Sequence, residues 1–107
     1  MIVRISPNGP AKAFDTFGPF GPVIATDIEL EQISIRAILN GRERQNYRVS
    51  DLIFAPHQIV SLLSAEITLF PGDVIACATG PGALPMKPGS EIEIEIDGIG
   101  TLRNVFQ

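Results

Sequence analysis

The chain has 107 residues, 45% of them hydrophobic and 19% charged, which leaves room for one domain, spanning residues 1–107, with a core of modest size. A formal net charge of −4, with eight dispersed Lys and Arg residues, excludes a nucleic-acid binder that works through a basic face. The single Cys excludes an internal disulfide framework, and no apolar run is long enough for a transmembrane helix, so a cytoplasmic protein with no nucleic-acid and no membrane partner is expected.

Residues 2–5 read as a short edge strand and residues 6–10 as a loop, with too short an apolar stretch for a secretion signal. Residues 12–22 (KAFDTFGPFGP) set Phe14, Phe17 and Phe20 among Gly and Pro, so the three rings are expected to anchor an irregular segment by burial. Lys12 is then either a residue held near apolar surface, where its pKa falls, or a surface Lys that keeps its ammonium in water. Asp15 and Thr16 suit a turn.

Residues 23–26 (VIAT) read as a strand and residues 27–32 as a polar loop or single helical turn. Residues 33–39 (ISIRAIL) form a strand with Ile33, Ile35, Ala37 and Leu39 inward at period two. Asn40 and Gly41 are a strong hairpin signal, because a type I′ turn needs two positive φ angles. Residues 42–49 (RERQNYRV) return as the polar partner strand. Their charges read as a solvated face; Arg44 and Gln45 are the two candidates for a cleft.

Residues 56–65 (PHQIVSLLSA) are the helix candidate, with Pro56 at its first position and Ile59, Val60, Leu62 and Leu63 as the apolar face. His57, the only His, has no Cys, Asp or Glu motif beside it and reads as structural. Residues 70–82 (FPGDVIACATGPG) read as a turn, a short buried strand over residues 74–78, and a Gly-rich exit loop. Thr79, Gly80, Pro81 and Gly82 put bare backbone and one hydroxyl where a strand leaves the sheet, which suits an anion as well as a plain strand exit.

Residues 91–96 (EIEIEI) alternate without a break: Ile92, Ile94 and Ile96 face a core, and Glu91, Glu93 and Glu95 face the other side. Alternate residues on one strand lie about 7 Å apart, too far to converge on an ion without other ligands, so an acidic solvent strip is the reading. Asp97 and Gly98 turn the chain, and residues 99–106 pair back. The fold class is mostly β (α+β), with one helix packed on the strands.

The ordered set of segments around Lys12-Ala13-Phe14-Asp15-Thr16-Phe17, Asn40-Gly41, Arg44-Gln45, Asp51-Leu52-Ile53-Phe54, Thr68-Leu69-Phe70-Pro71-Gly72-Asp73 and Gly98-Ile99-Gly100-Thr101-Leu102 resembles the C-terminal part of the fumarylacetoacetate hydrolase family. The resemblance covers roughly residues 11–106. It implies a mixed β-roll or sandwich with one packed helix, and C–C bond hydrolysis or decarboxylation of 2-oxo or 1,3-dioxo acids with Mg²⁺, Mn²⁺ or Ca²⁺. By the same resemblance Lys12 is the catalytic residue that stabilises developing enolate or carbonyl charge, and Thr16 is a secondary contact near the metal. Thr79, Gly80 and Gln45 are the substrate-binding candidates, with Arg44 beside them.

Two departures from the family pattern shape the expectation. The family holds its ion with a Glu-x-Glu pair and an Asp upstream of the Lys segment, where this chain has only MIVRISPNGPA. None of its residues is therefore expected to hold the ion directly. The chain is expected to be a truncated domain, inactive alone, whose partners are a separately encoded N-terminal half, a 2-oxo acid once the site is completed, and a second copy in a homodimer. The other expectation is a non-catalytic remnant or binding module. The family's Gly-Thr-Pro loop has also become Ala78-Thr79-Gly80-Pro81, which moves the positions where positive φ is allowed.

Overall fold

Residues 34–39, with Ile35, Ala37 and Leu39 at period two, and residues 91–96, which alternate without a break, are the two central strands of a four-stranded antiparallel sheet. The structure is a computed structural model and describes residues 18–77, 79–83 and 85–107. Its strands are β1 (Ser34–Leu39), β2 (Arg42–Arg48), β3 (Glu91–Ile96) and β4 (Gly100–Val105), in the sheet order β2-β1-β3-β4. One helix, α1 (Pro56–Glu66), and two single 3₁₀ turns, Leu30–Gln32 and Val49–Asp51, complete the regular elements among the described residues. The mostly-β class, both hairpins and the helix agree with the sequence reading.

The first hairpin turns where Asn40 and Gly41 take φ of 50° and 74°, the left-handed pair that a type I′ turn demands. Asn40 also ties this turn to β3. Its N–H donates to the Glu91 carbonyl at 2.9 Å, and its Oδ1 accepts from the Glu91 N–H at 2.8 Å.

Paired residues share a face of the sheet, so the register sorts the side chains. One face carries Tyr47 and Gln45 from β2, Ile35, Ala37 and Leu39 from β1, Ile96, Ile94 and Ile92 from β3, and Leu102 from β4. The opposite face carries Arg36, Glu91, Glu93, Glu95 and Arg103. The buried apolar residues among those described are Ile33, Ala37, Leu39 and Val49, so the core is thin and sits along β1. Val49 closes its end by donating its N–H to the Ile33 carbonyl at 2.9 Å.

The acidic strip is a row of cross-strand ion pairs. Arg36 meets Glu95 at 2.5 Å, and Arg103 meets Glu93 at 3.1 Å and Glu91 at 3.7 Å. The Arg103 guanidinium is held above its ordinary value, first by its hydrogen bond to Glu93 and then by the two carboxylate charges. The guanidinium is charged throughout the neutral range, so this contact persists there and weakens with salt.

Several local expectations are corrected. Among the described residues, 23–26 and 74–77 join no ladder, and Ala78 of the strand expected at 74–78 lies outside them; Ile24 is 87% exposed and Val74 57%. β-branched composition alone does not make either stretch a strand. Phe20 is 66% exposed rather than an anchor, while Phe14, Phe17 and the edge strand expected at residues 2–5 lie outside the described residues. In α1, Pro56 takes the first position and the Gln58 Oε1 accepts the Ala55 N–H at 2.9 Å. Ile59 and Leu63 turn inward, but Val60 and Leu62 are exposed.

Candidate functional site

A break in the strand alternation builds the site. The β1–β2 register runs Leu39–Arg42 and Ile38–Glu43, then jumps to Ala37–Gln45. Arg44 is the unpaired extra residue of a β-bulge, a feature that re-aims the side chains following it. A regular ladder would set Arg44 opposite Ala37 on the inner face. The bulge leaves Arg44 exposed and sets Gln45 and Tyr47 inward. Gln45 stands opposite the small Ala37, and both are buried, at 4% and 3% exposed.

The loop of residues 79–82 lies on this part of β2. An added Cβ at Gly80 would come within 2.6 Å of the Tyr47 ring, and one at Gly82 within 2.4 Å of the Arg44 carbonyl oxygen. Both glycines are needed for the approach itself, and Gly82 also has a φ of +100°.

Gln45 is the fastening. It is 4% exposed, and its Nε2 donates to the Gly80 carbonyl at 2.5 Å, to Thr79 Oγ1 at 3.0 Å and to the Pro81 carbonyl at 3.2 Å. Two N–H bonds serve these three acceptors, so one is shared. Carbonyls only accept, which fixes the amide with its nitrogen toward the loop. In return Thr79 Oγ1 donates to Gln45 Oε1 at 3.3 Å, so hydroxyl and carboxamide are paired in both directions, the second bond being the longer.

The sequence-derived candidates are thus distributed as follows. Gln45, Thr79 and Gly80 are brought together, and Arg44 lies at the edge of the same place with its side chain exposed. Lys12 and Thr16 lie outside the described residues. Gly82, read from the sequence as part of the exit loop, and Tyr47, which was not singled out there, complete the loop seat. A bulge has no signature in residue type, so the inward phase of Tyr47 is invisible in the string RERQNYRV.

Other features gather no comparable set of polar groups. An apolar groove of about 480 Å³ lies between α1 and the following segment, lined by Ile59, Leu63, Ile67, Leu69, Val74 and Ile75. Its one carboxylate, Asp73, accepts the Phe70 N–H at 2.8 Å and so belongs to the turn. Among the described residues no three His, Cys, Asp or Glu side chains converge as metal ligands, and no helix is long and apolar enough to cross a membrane.

Comparison with known proteins gives this arrangement its context. Residues 3–107 match the family model described as fumarylacetoacetate (FAA) hydrolase C-terminal. The chain is similar to the 5-carboxymethyl-2-hydroxymuconate delta-isomerase structure from Mycobacterium smegmatis, with a TM-score of 0.86 and 42% identity over 90% of this chain and 38% of that one. It is also similar to maleylpyruvate hydrolase from Sphingobium sp. SYK-6 in complex with manganese(II) ion and pyruvate, with a TM-score of 0.82 and 33% identity over 88% of this chain and 37% of that one. Two further relatives are 38% identical. They are a 4-hydroxyphenylacetate degradation bifunctional isomerase/decarboxylase of Salmonella dublin, sharing 92% of this chain and 24% of its own length, and an oxaloacetate tautomerase of Bacillus subtilis, sharing 87% and 34%. The chain spans about two fifths of the length of its archaeal relatives, 40% in Methanocaldococcus jannaschii and 38% in Archaeoglobus fulgidus.

Proposed function

The chain belongs to the fumarylacetoacetate hydrolase family, and on that premise we propose that it supplies the substrate-side wall of a site for C–C bond hydrolysis or decarboxylation of 2-oxo or 1,3-dioxo acids. The observation that carries this reading is the convergence of Thr79 and Gly80 on the buried Gln45, whose carboxamide holds the Thr79 hydroxyl at 3.0 Å and 3.3 Å. On binding, Thr79 exchanges its long bond to Gln45 Oε1 for one to a carboxylate or oxo oxygen of the acid, with Gly80 giving the close backbone approach. Lys12, by family resemblance, stabilises the charge that develops on that acid.

A divalent ion, Mg²⁺, Mn²⁺ or Ca²⁺, is part of this reading. The described residues do not fit it. Glu91, Glu93 and Glu95 stand in a row facing Arg36 and Arg103, on the sheet face opposite Gln45. We therefore assign the ion-holding acids to the N-terminal half that its longer relatives carry and expect the 107 residues to be inactive by themselves. The exposed apolar residues Ile24, Ile53, Phe20 and Phe70 favour assembly with that half or with a second copy, which light scattering reads directly. The single half-buried thiol, Cys77, suits a cytoplasmic protein.

The test is an assay of oxaloacetate decarboxylation and acylpyruvate hydrolysis with added Mg²⁺ or Mn²⁺. Turnover is expected only when the N-terminal half is mixed with this chain. Thr79→Val in that mixture is expected to raise KM about tenfold or more with kcat little changed, the loss of a hydrogen bond to a charged group. An unchanged KM removes Thr79 from the site. No turnover in any mixture leaves the second reading, a non-catalytic binding module, for which the lack of a convergent acid cluster among the described residues also speaks.

A further inference from the structure

Gln45 is too enclosed to meet a ligand. It is 4% exposed, and its carboxamide hydrogens are taken by three oxygens of one loop. What it controls is where the loop's own donors point. The cis peptide among the described residues is Gly21–Pro22, so the Pro81–Gly82 bond is trans, and in a trans peptide the C=O and N–H point in opposite directions. With the Pro81 carbonyl turned toward Gln45, the Gly82 N–H is turned away from it. Among the described residues no acceptor takes that N–H. The same amide nitrogen donates to Thr79 Oγ1, which returns a 3.3 Å hydrogen bond to Gln45 Oε1, so the hydroxyl is held on the Gln45 side of the loop.

We infer that Gln45 is a positioning residue: its buried carboxamide pins Thr79 Oγ1 and the Gly80 and Pro81 carbonyls inward, and so turns the Gly82 N–H outward, toward one carboxylate or oxo group. The pin stands on the geometry alone; the ligand it serves rests on the function proposed above. Buried polar groups that are fully satisfied fix one conformation, and an unsatisfied member releases it. The seat on Tyr47 and the Arg44 carbonyl constrains how closely the loop lies, and the carboxamide sets its rotation.

Nuclear magnetic resonance on the ¹⁵N-labelled 107-residue chain, without ligand, tests the pin. In the native chain the Gln45 side-chain N–H protons are expected to exchange at least tenfold more slowly than those of the exposed Gln107. Equal exchange rates overturn the inference without any variant. Gln45→Glu places a carboxylate against three acceptor oxygens at pH 8, so the Gly80 and Gly82 amide signals are expected to move toward loop-like positions. They should return in part at pH 5, where a protonated carboxyl again donates one hydrogen bond. Gln45→Met should displace them at both pH values with no return, a contrast that loss of shape alone does not produce. The β1 and β3 amides serve as the fold control.

If Gly80 and Gly82 keep their native positions in both variants at pH 8, Gln45 is not the pin. A binding measurement separates this from the function itself. With the N-terminal half and manganese(II) present, Gln45→Met is expected to weaken pyruvate about tenfold, in step with Thr79→Val. Weakening by Thr79→Val alone overturns the positioning role and leaves the function standing. No pyruvate binding by the native assembly removes the function, and the exchange and amide signals then decide the pin.

Discussion

Gly82→Ala is expected to unseat the loop from β2. The added methyl group would lie 2.4 Å from the Arg44 carbonyl oxygen, and the residue would have to hold a φ of +100°. A strained backbone of this kind costs about 1–3 kcal/mol, and the opposing atom is main chain, so no rotamer change relieves the overlap. Gly80→Ala is the milder neighbour, because the obstacle at 2.6 Å is the Tyr47 ring, which has some freedom to turn. Tyr47 is the single Tyr in a chain without Trp, so its near-ultraviolet circular dichroism reports the loop seat directly. Loss of that signal together with a lowered urea midpoint is the expected result. A native signal and midpoint in Gly82→Ala would mean that the loop does not rest on the Arg44 carbonyl.

Leu39→Ala is the second large effect. Leu39 is 9% exposed, pairs with Ile92 on the inner face and belongs to a core of few buried residues. Truncating a buried Leu costs about 2–5 kcal/mol depending on how far the site collapses. Its half-buried neighbours give it room to relax, which favours the lower part of that range. For a domain of this size each kcal/mol moves Tm by roughly 4–8 °C, so a drop of more than about 8 °C is expected. Ile24→Ala, at a side chain 87% exposed, is the control and should leave Tm nearly unchanged. Equal effects of the two substitutions would place the core elsewhere than along β1.

The sheet was legible in the sequence because its signals are local and redundant. The EIEIEI repeat sets β3 and both its faces, and Asn40 with Gly41 sets the hairpin between β1 and β2. Residues 23–26 and 74–77 misled because a β-branched run describes a strand's suitability, whereas pairing depends on a free edge that only the tertiary structure supplies. At the site, residue types marked Thr79, Gly80 and Gln45 as belonging together, through family resemblance. That Gln45 is covered, with its hydrogens spent on the loop, follows from a bulge that shifts the strand phase by one residue. No residue in β2 announces that shift, since either phase places polar side chains inward.

The bulge also has an electrostatic consequence. Arg42, Arg44 and Arg48 are all exposed on β2, against Glu43 alone, in a chain whose formal net charge is −4. The strand beneath the loop thus carries three cations against one anion on an anionic molecule, a local excess that attracts an approaching dianion, with Arg42 and Arg48 on opposite faces of the sheet. Such a field guides encounter more than it holds the ligand once bound. It reaches about 8 Å at physiological ionic strength, so capture of the acid proposed above should slow as salt is raised while its release rate stays nearly constant.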